Sequence, residues 1–234
     1  AAANGQGFVD VVNGALVFPT ITYTVPAAPA AATYTAALTV TNSTTRCTSS
    51  PYSTTVTVNE TPTITLGANP AFCQGATTYS LTYLATTGVP TSYSIDYDVV
   101  AEAQNFVDEG AVIGASPIVL VAPTVPAPPT AASYNASVTV VTAATCSSTA
   151  TAFQVTVNEL DNTDFTYAKA SYCQAELPNP TATPPVATGT FTSSDPANLV
   201  IANATTGEID LAGSAVGTYT ITYTSTDACP NTST

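Results

Sequence analysis

Residues 132–142 read ASYNASVTVVT, and residues 32–42 read ATYTAALTVTN. In both stretches Thr, Ser and Asn alternate with apolar or small side chains, which is the two-residue period of a β-strand with one buried face. The alternation therefore predicts one inward face in each strand. The predicted inward residues are Tyr134, Ala136, Val138 and Val140 in one strand, and Tyr34, Ala36, Leu38 and Val40 in the other.

The two stretches belong to an internal repeat with an offset of 98 to 100 residues. Residues 56–60 and 155–159 both read VTVNE, and residues 8–10 and 106–108 both read FVD. A constant offset of this kind indicates an array of similar units. We divide the chain into a first segment (1–60), the C-terminal part of a truncated repeat; a second segment (61–159), a complete repeat; and a third segment (160–234), a repeat of a second type that is expected to lack its last strand.

Strand patterns recur along the whole chain and are separated by Pro and Gly at intervals of roughly 8–14 residues. This spacing predicts an all-β fold of tandem Ig-like or PKD-like β-sandwich domains with Greek-key connections. The boundaries between segments are short, VNETPTIT (58–65) and VNELDNTD (157–164), and contain no Gly. We therefore expect the domains to form an extended string.

Each segment carries a Tyr just before its penultimate predicted strand, at Tyr34, Tyr134 and Tyr219. A Tyr at this position of a sandwich can donate its hydroxyl proton to a backbone carbonyl a few residues upstream. We expect this tyrosine corner in all three segments, and an ordinary aromatic side chain of a strand is the alternative.

Charged residues make up only 7% of the 234-residue chain, and 15 acidic residues outnumber two basic ones, Arg46 and Lys169. The net charge of −13 excludes the basic surface that nucleic-acid binding requires. The chain has no His, which excludes Ser-His-Asp and Cys-His nucleophiles. Paired carboxylates at Asp96 and Asp98 are the remaining enzymatic alternative, but the chain has no Trp to stack a sugar. We therefore predict no catalytic residue and no enzymatic activity. No run of 18 apolar residues occurs, so membrane insertion is not expected.

The five cysteines follow the segments, since an early Cys opens a segment and a late Cys lies near its end. This placement predicts one disulfide within each segment, Cys73 with Cys146 and Cys173 with Cys229, and buried free thiols are the alternative. Cys47 is the late cysteine of the first segment, and its partner is expected upstream of residue 1. Disulfides indicate an oxidising compartment outside the cytoplasm.

Acidic side chains group in two places that could hold calcium, a hard cation that prefers oxygen ligands. Neither group matches a DxDxDG calcium loop, so a solvated acidic turn is the alternative, and no other cofactor is predicted. The candidate ligands are Asp96, Asp98 and Asp108 in the second segment, and Glu159, Asp161 and Asp164 at its boundary with the third.

The strings PTSYSIDYDVVAEAQNFVD (90–108), SYCQAELPNPTAT (171–183) and TTGEIDLAGSAVGTYTITY (205–223) resemble repeats of the giant adhesins of the Bacteroidetes, the SprB-like gliding-motility adhesins with PKD-like and Ig-like repeats. The resemblance implies cell-surface display and export by type IX secretion. One departure is that Ile95 stands in place of the Trp in the PKD motif. Val99 follows Asp98, so the PKD loop glycines are absent.

These observations predict a structural repeat segment of an extracellular adhesin or surface filament, used in attachment or gliding. Its expected partners are neighbouring repeats of the same chain and a surface polysaccharide or other adhesion ligand. One alternative is a fibre or pilus subunit that other copies complete by strand donation. The other is a carbohydrate-binding accessory module of a secreted enzyme, with Tyr52, Tyr93, Tyr97 and Tyr167 as candidate stacking residues.

Overall fold

The computed structural model describes residues 4–9, 25–124, 127–183 and 187–234. These residues are almost entirely β-structure, which confirms the predicted all-β class. The helical elements of the described ranges are a 3-10 turn, Asn4–Gln6, and one four-residue helix, α1 (Val99–Glu102). The FVD match of the first segment extends to Asp10, which lies outside the described residues.

The first segment contributes an antiparallel pair, β1 (Ala32–Leu38) and β2 (Tyr52–Val58). Only Tyr34 of its predicted inward face is buried, against the ring of Phe8. The expectation was wrong for Ala36, Leu38 and Val40, which are exposed. Alternation marks one face of a strand, but among the described residues no second layer covers that face beyond Tyr34.

The second segment contains a five-stranded sheet in the order β4-β11-β10-β7-β8 and two two-stranded sheets, β3-β6 and β5-β9. All pairs are antiparallel except β11 with β4, which run parallel. The strands are β3 (Thr63–Leu66), β4 (Ala71–Cys73), β5 (Thr78–Leu81), β6 (Tyr83–Thr87), β7 (Pro90–Tyr97), β8 (Glu109–Val112), β9 (Ile118–Val121), β10 (Ala132–Thr142) and β11 (Thr151–Asn158).

Strand β10 is central, because it pairs with β7 on one edge and with β11 on the other. Its predicted inward face is confirmed, and Val138 and Val140 are fully buried. Leu81 of β5 and Leu120 of β9 are fully buried in the same hydrophobic cluster. The five-stranded sheet and the β5-β9 sheet therefore share one core.

Helix α1 begins directly after β7 and is capped by Asp98. The carboxylate of Asp98 accepts hydrogen bonds from the backbone N–H groups of Val100 (3.1 Å) and Ala101 (2.8 Å). The side-chain amide of Asn135 on β10 donates to the same carboxylate at 2.9 Å. Asp98 thus ties the helix to the sheet.

The third segment has a three-stranded sheet, β12-β15-β16, and a two-stranded sheet, β13-β14. Its hydrophobic side chains form two clusters, one around Phe191 and Tyr223 and the other around Leu199 and Leu211. The strands are β12 (Gly189–Ser193), β13 (Ile201–Asn203), β14 (Glu208–Ile209), β15 (Ile221–Ser225) and β16 (Thr232–Ser233).

The predicted tyrosine hydrogen bond occurs in all three segments, each time to the carbonyl four residues upstream. Tyr34 donates to Ala30 O (2.6 Å). Tyr134 donates to Thr130 O (2.8 Å), and Tyr219 to Ala215 O (3.0 Å). The three segments therefore share this local structure although the third differs in sequence.

Replacing Val138 should damage the second segment far more than replacing its neighbour Thr139. We expect Val138→Asp to lower the free energy of unfolding by about 4 kcal/mol or more, because it places a carboxylate in a sealed apolar core. Thr139→Asp points to the other face and should cost less than about 1 kcal/mol. Urea unfolding of both variants measures the difference, and equal losses would mean that β10 is buried on both faces.

Asp98 should make the second segment sensitive to acid. Hydrogen bonds, first from the backbone of Ala101 and then from Asn135, lower the pKa of Asp98. A lowered folded-state pKa contributes stability above the unfolded-state pKa, and this contribution is lost as pH falls through the folded-state value.

We therefore expect Asp98→Ala to lower the urea midpoint at pH 7. Asp98→Asn, which keeps a capping oxygen, should lower it less. The advantage of the parent chain over Asp98→Asn should shrink as the pH falls below about 4. An advantage that stays constant from neutral to acid pH would contradict a stabilising role of the charged carboxylate.

Candidate functional site

The boundary between the second and third segments begins where β11 ends, at Asn158. Strand β4 runs beside this end, and its last residue, Cys73, is the register partner of Asn158. The next residue, Gln74, donates its backbone N–H to Asn158 O at 2.9 Å. The second segment thus presents Cys73 at the point where the chain leaves it.

Asp161 holds the other side of the boundary. Its backbone N–H donates to Cys229 O at 2.9 Å, and its carbonyl accepts from the side-chain amide of Asn231 at 3.1 Å. Its carboxylate Oδ1 accepts from the backbone N–H of Cys229 at 3.4 Å, while Oδ2 is buried without a hydrogen-bond partner among the described residues. These bonds place Cys229 at the point where the chain enters the third segment.

A disulfide joins Cys73 to Cys229, with 5.5 Å between their Cα atoms. The second and third segments therefore have two covalent connections, the backbone at 158–161 and this bond, which we name the boundary disulfide. Cys229 is almost fully buried, at 2% exposure.

The predicted pairing of Cys73 with Cys146 is wrong. Cys73 lies beside the end of β11, whereas Cys146 lies in the turn between β10 and β11, before β11 begins. Because β11 has eight residues, its first and last residues lie roughly 24 Å apart. A disulfide allows at most about 7 Å between Cα atoms, so the two cysteines cannot bond.

The predicted pairing of Cys173 with Cys229 is also wrong. Gln174, next to Cys173, donates its side-chain amide to Ser214 O at 2.6 Å, and Tyr172 packs in the cluster that contains Tyr219. Tyr219 precedes β15, whereas Cys229 follows the end of that strand. In the described part of the chain, Cys47, Cys146 and Cys173 are free thiols. The partner predicted for Cys47, upstream of residue 1, stays a prediction.

The candidate calcium ligands mostly serve local structure or face solvent. Asp98 caps α1, and Asp108 accepts a hydrogen bond from the backbone N–H of Tyr97 at 2.9 Å. No group of three or more potential metal ligands converges within the ranges that the structure describes. Calcium binding stays a prediction. The remaining candidates are exposed at Asp96, Glu159 and Asp164, and Asp161 lies at the boundary as described.

The four tyrosines considered for carbohydrate stacking do not form one exposed surface. Tyr93 and Tyr97 are buried on the inward face of β7, and Tyr97 shares a hydrogen bond with Tyr79 inside the core. Burial raises the pKa of Tyr97 to about 12. Tyr52 is 70% exposed, whereas Tyr167 is half-buried, with its hydroxyl donating to Gly207 O.

The third segment contains an open groove of about 760 Å³. It runs between the stretch that contains the CQ pair of Cys173 and Gln174 and the stretch 214–221, and Thr234 also lines it. Its apolar lining includes Tyr167, Tyr172, Leu199, Leu211, Tyr219 and Ile221.

The groove occupies the position that β11 takes in the second segment. There, β11 lies between β10, which begins near Tyr134, and β4, which ends at Cys73, just before Gln74. If Tyr219 is aligned with Tyr134, Tyr223 corresponds to Val138. Val138 is the register partner of Thr151, the first residue of β11, and Tyr223 is the partner of Ser233.

Strand β16 therefore pairs with β15 in the same register in which the start of β11 pairs with β10. In the described part of the chain, Thr220 and Ile221 pair only on their other edge, with residues 193–194.

Sequence reasoning missed both the boundary disulfide and the groove. The groove had no signal in a single motif, because its lining comes from separate stretches of the third segment. The disulfide had no local signal, since Cys73 and Cys229 are 156 residues apart and only the strand order brings them together.

No protein-family model matches the chain, and no curated protein matches it. Among the described residues, no helix has the length and apolar character needed to cross a bilayer.

Proposed function

We propose that the chain is a structural repeat segment of an extracellular adhesin or surface filament. Its segments would be Ig-like or PKD-like β-sandwich domains joined in an extended string. The observation that carries this proposal is the boundary disulfide, because it adds a second covalent connection where a single chain would otherwise act as a hinge.

Two connections side by side restrict bending more than one. A single linker lets two domains rotate about several backbone dihedrals, and relative motion is the usual behaviour of domains with small interfaces. Here the linking residues are also held by hydrogen bonds, from Gln74 on one side and to Cys229 on the other. A boundary of this kind suits a domain string that transmits force and holds its ends apart.

The composition fits a display function outside the cytoplasm. A disulfide is typical of oxidising compartments. The net charge of −13 favours solubility and discourages lateral association of neighbouring strings. We propose that each segment makes a weak contact with a surface polysaccharide or similar ligand, and that many such contacts together give attachment by avidity. A role in gliding and export by type IX secretion are the further proposals that the resemblance to the adhesins implies.

Removing the boundary disulfide should make the string flexible without unfolding its segments. We expect Cys73→Ser/Cys229→Ser to broaden the distribution of angles between the second and third segments in electron microscopy, and to broaden the distance distribution in small-angle scattering. The matched control, Cys146→Ser/Cys173→Ser, removes two free thiols and should leave both measurements as in the parent chain.

A parent chain whose segments fold back on one another would contradict the proposal. Identical angle distributions in the parent and in Cys73→Ser/Cys229→Ser would show that the disulfide does not stiffen the boundary.

A second candidate function, a fibre subunit completed by strand donation, is favoured by the groove in the third segment. An unpaired strand edge beside an apolar groove is the arrangement that strand addition uses. Backbone groups of the acceptor edge bind the donated strand, and pockets accept its alternate side chains. The donor would resemble β11, whose inward residues Phe153, Val155 and Val157 are all buried.

A peptide with the sequence of residues 151–159, TAFQVTVNE, should bind the groove. We expect a fluorescently labelled peptide to show saturable binding to the whole chain by anisotropy. The control peptide carries Asp at the positions of Phe153 and Val155, and it should not bind because these side chains would enter the apolar lining. Ile221→Asp in the chain should also abolish binding. Equal binding of both peptides, or none by either, would contradict strand donation.

A further inference from the structure

The cysteines of the three segments occupy only two kinds of position. Cys73 and Cys173 are early cysteines, each followed by Gln in the stretch that opens its segment. Cys47, Cys146 and Cys229 are late cysteines. Each follows the strand that contains, or begins just after, the tyrosine of the corner.

The turns of Cys47 and Cys146 are alike in detail. The backbone N–H of Val40 donates to Ser49 Oγ at 3.0 Å, and that of Val140 donates to Ser148 Oγ at 3.0 Å. The two turns therefore present equivalent late cysteines.

The early and late positions lie at opposite ends of a segment. In the second segment, Cys73 lies at the trailing end, where the chain leaves toward the third segment. Cys146 lies at the leading end, where the chain enters the segment. It follows Thr142, which pairs with Pro90. Gly88, two residues before Pro90, lies against Pro62 at the start of the segment. The third segment is arranged in the same way, with Cys229 at its leading end and Cys173 far from it.

The one disulfide of the described chain joins an early cysteine to the late cysteine of the segment that follows. We infer that this is the rule for every boundary of the repeat. Cys173 would then form a boundary disulfide with the late cysteine of any segment that follows its own. In the same way, Cys47 and Cys146 would each bond the early cysteine of the segment before their own.

The inference rests on the proposed domain string, but it concerns which cysteines bond rather than the shape of the string. The free thiols alone would not support it. The independent support is that residues at the same repeat positions are already bonded at the described boundary. The partner is a neighbouring segment of the same kind, which presents the complementary cysteine at its facing end.

Each boundary disulfide forms by oxidation of two thiols. With a small-molecule disulfide such as oxidised glutathione as oxidant, one thiolate attacks the glutathione disulfide and releases one reduced glutathione. The second thiolate then attacks the mixed disulfide and releases the other. Two thiol protons and two electrons leave the protein, and two glutathione thiols are formed.

The rule can be tested by duplicating residues 61–159 in tandem inside the full chain. The new boundary reads VTVNE followed by TPTIT, which is the native sequence of residues 56–65. We expect refolding in glutathione buffer to form a second disulfide, between Cys73 of the first copy and Cys146 of the second. Because duplication adds two cysteines and the new bond uses two, the chain should still have three free thiols, as the parent has.

Two variants locate the new bond. Cys146→Ser in the second copy should abolish it and leave Cys73 of the first copy open to alkylation. Cys146→Ser in the first copy is the matched control and should leave the bond intact. Peptide mapping without reduction identifies the joined peptides directly.

The inference would be overturned if the second disulfide did not form, or if it required Cys146 of the first copy, which would mean pairing within one segment. These outcomes are separate from the shape test of the proposed function. A rigid string without the new bond would refute only the rule, whereas a correctly paired chain that folds back on itself would refute only the string.

Discussion

Pairing of strand β11 on both of its edges is the constraint on which the second segment depends. On one edge it pairs antiparallel with β10, and on the other it pairs parallel with β4. Its alternate residues Phe153, Val155 and Val157 enter the core, where each buried side chain contributes about 1.5–3 kcal/mol. Since a parallel neighbour of β11 must point the same way, the end of β4 lies where the chain leaves the segment. That direction places Cys73 at the boundary and makes a covalent connection to the next segment geometrically available.

The cysteine pairing illustrates what sequence order does and does not determine. Cys73 and Cys146 open and close a stretch of sequence, and this order suggested a bond between them. A strand separates its ends in space by about 3.4 Å for each residue, so a cysteine before β11 and one beside its end are far apart. Cys73 and Cys146 belong to the same segment and are nevertheless distant in space. Cys73 and Cys229 belong to different segments, 156 residues apart in the sequence, and are bonded. Only the strand order, which single-sequence patterns do not contain, distinguishes the two cases.

Features with a local cause were predictable, and features that depend on a covering layer were not. The inward face of β10 follows from the two-residue period of its sequence. Each of the three tyrosine hydrogen bonds joins a Tyr hydroxyl to the backbone carbonyl four residues upstream, which is a local contact. The same period predicted that Ala36, Leu38 and Val40 are buried, and this was wrong. Burial requires a second layer that covers the strand, and the alternation of one strand contains no information about that layer. Tyr93 and Tyr97 were considered as a surface platform, yet they flank Ile95 at the same period, and this was the available sign that they face the core.

Low charge shapes how the solvent-facing side of the sheets is held together. Within the ranges that the structure describes, one ion pair is present, between Lys169 and Glu176. Cross-strand hydroxyl pairs take the place of further ion pairs, as between Thr63 and Thr87 at 2.9 Å and between Ser133 and Thr156 at 3.2 Å. Such pairs contribute roughly 0.2–1 kcal/mol each. They carry no net charge, so salt does not screen them, and their hydroxyls do not titrate between acid and neutral pH. A sheet surface built in this way keeps its side-chain contacts across salt concentrations that would weaken a surface of ion pairs.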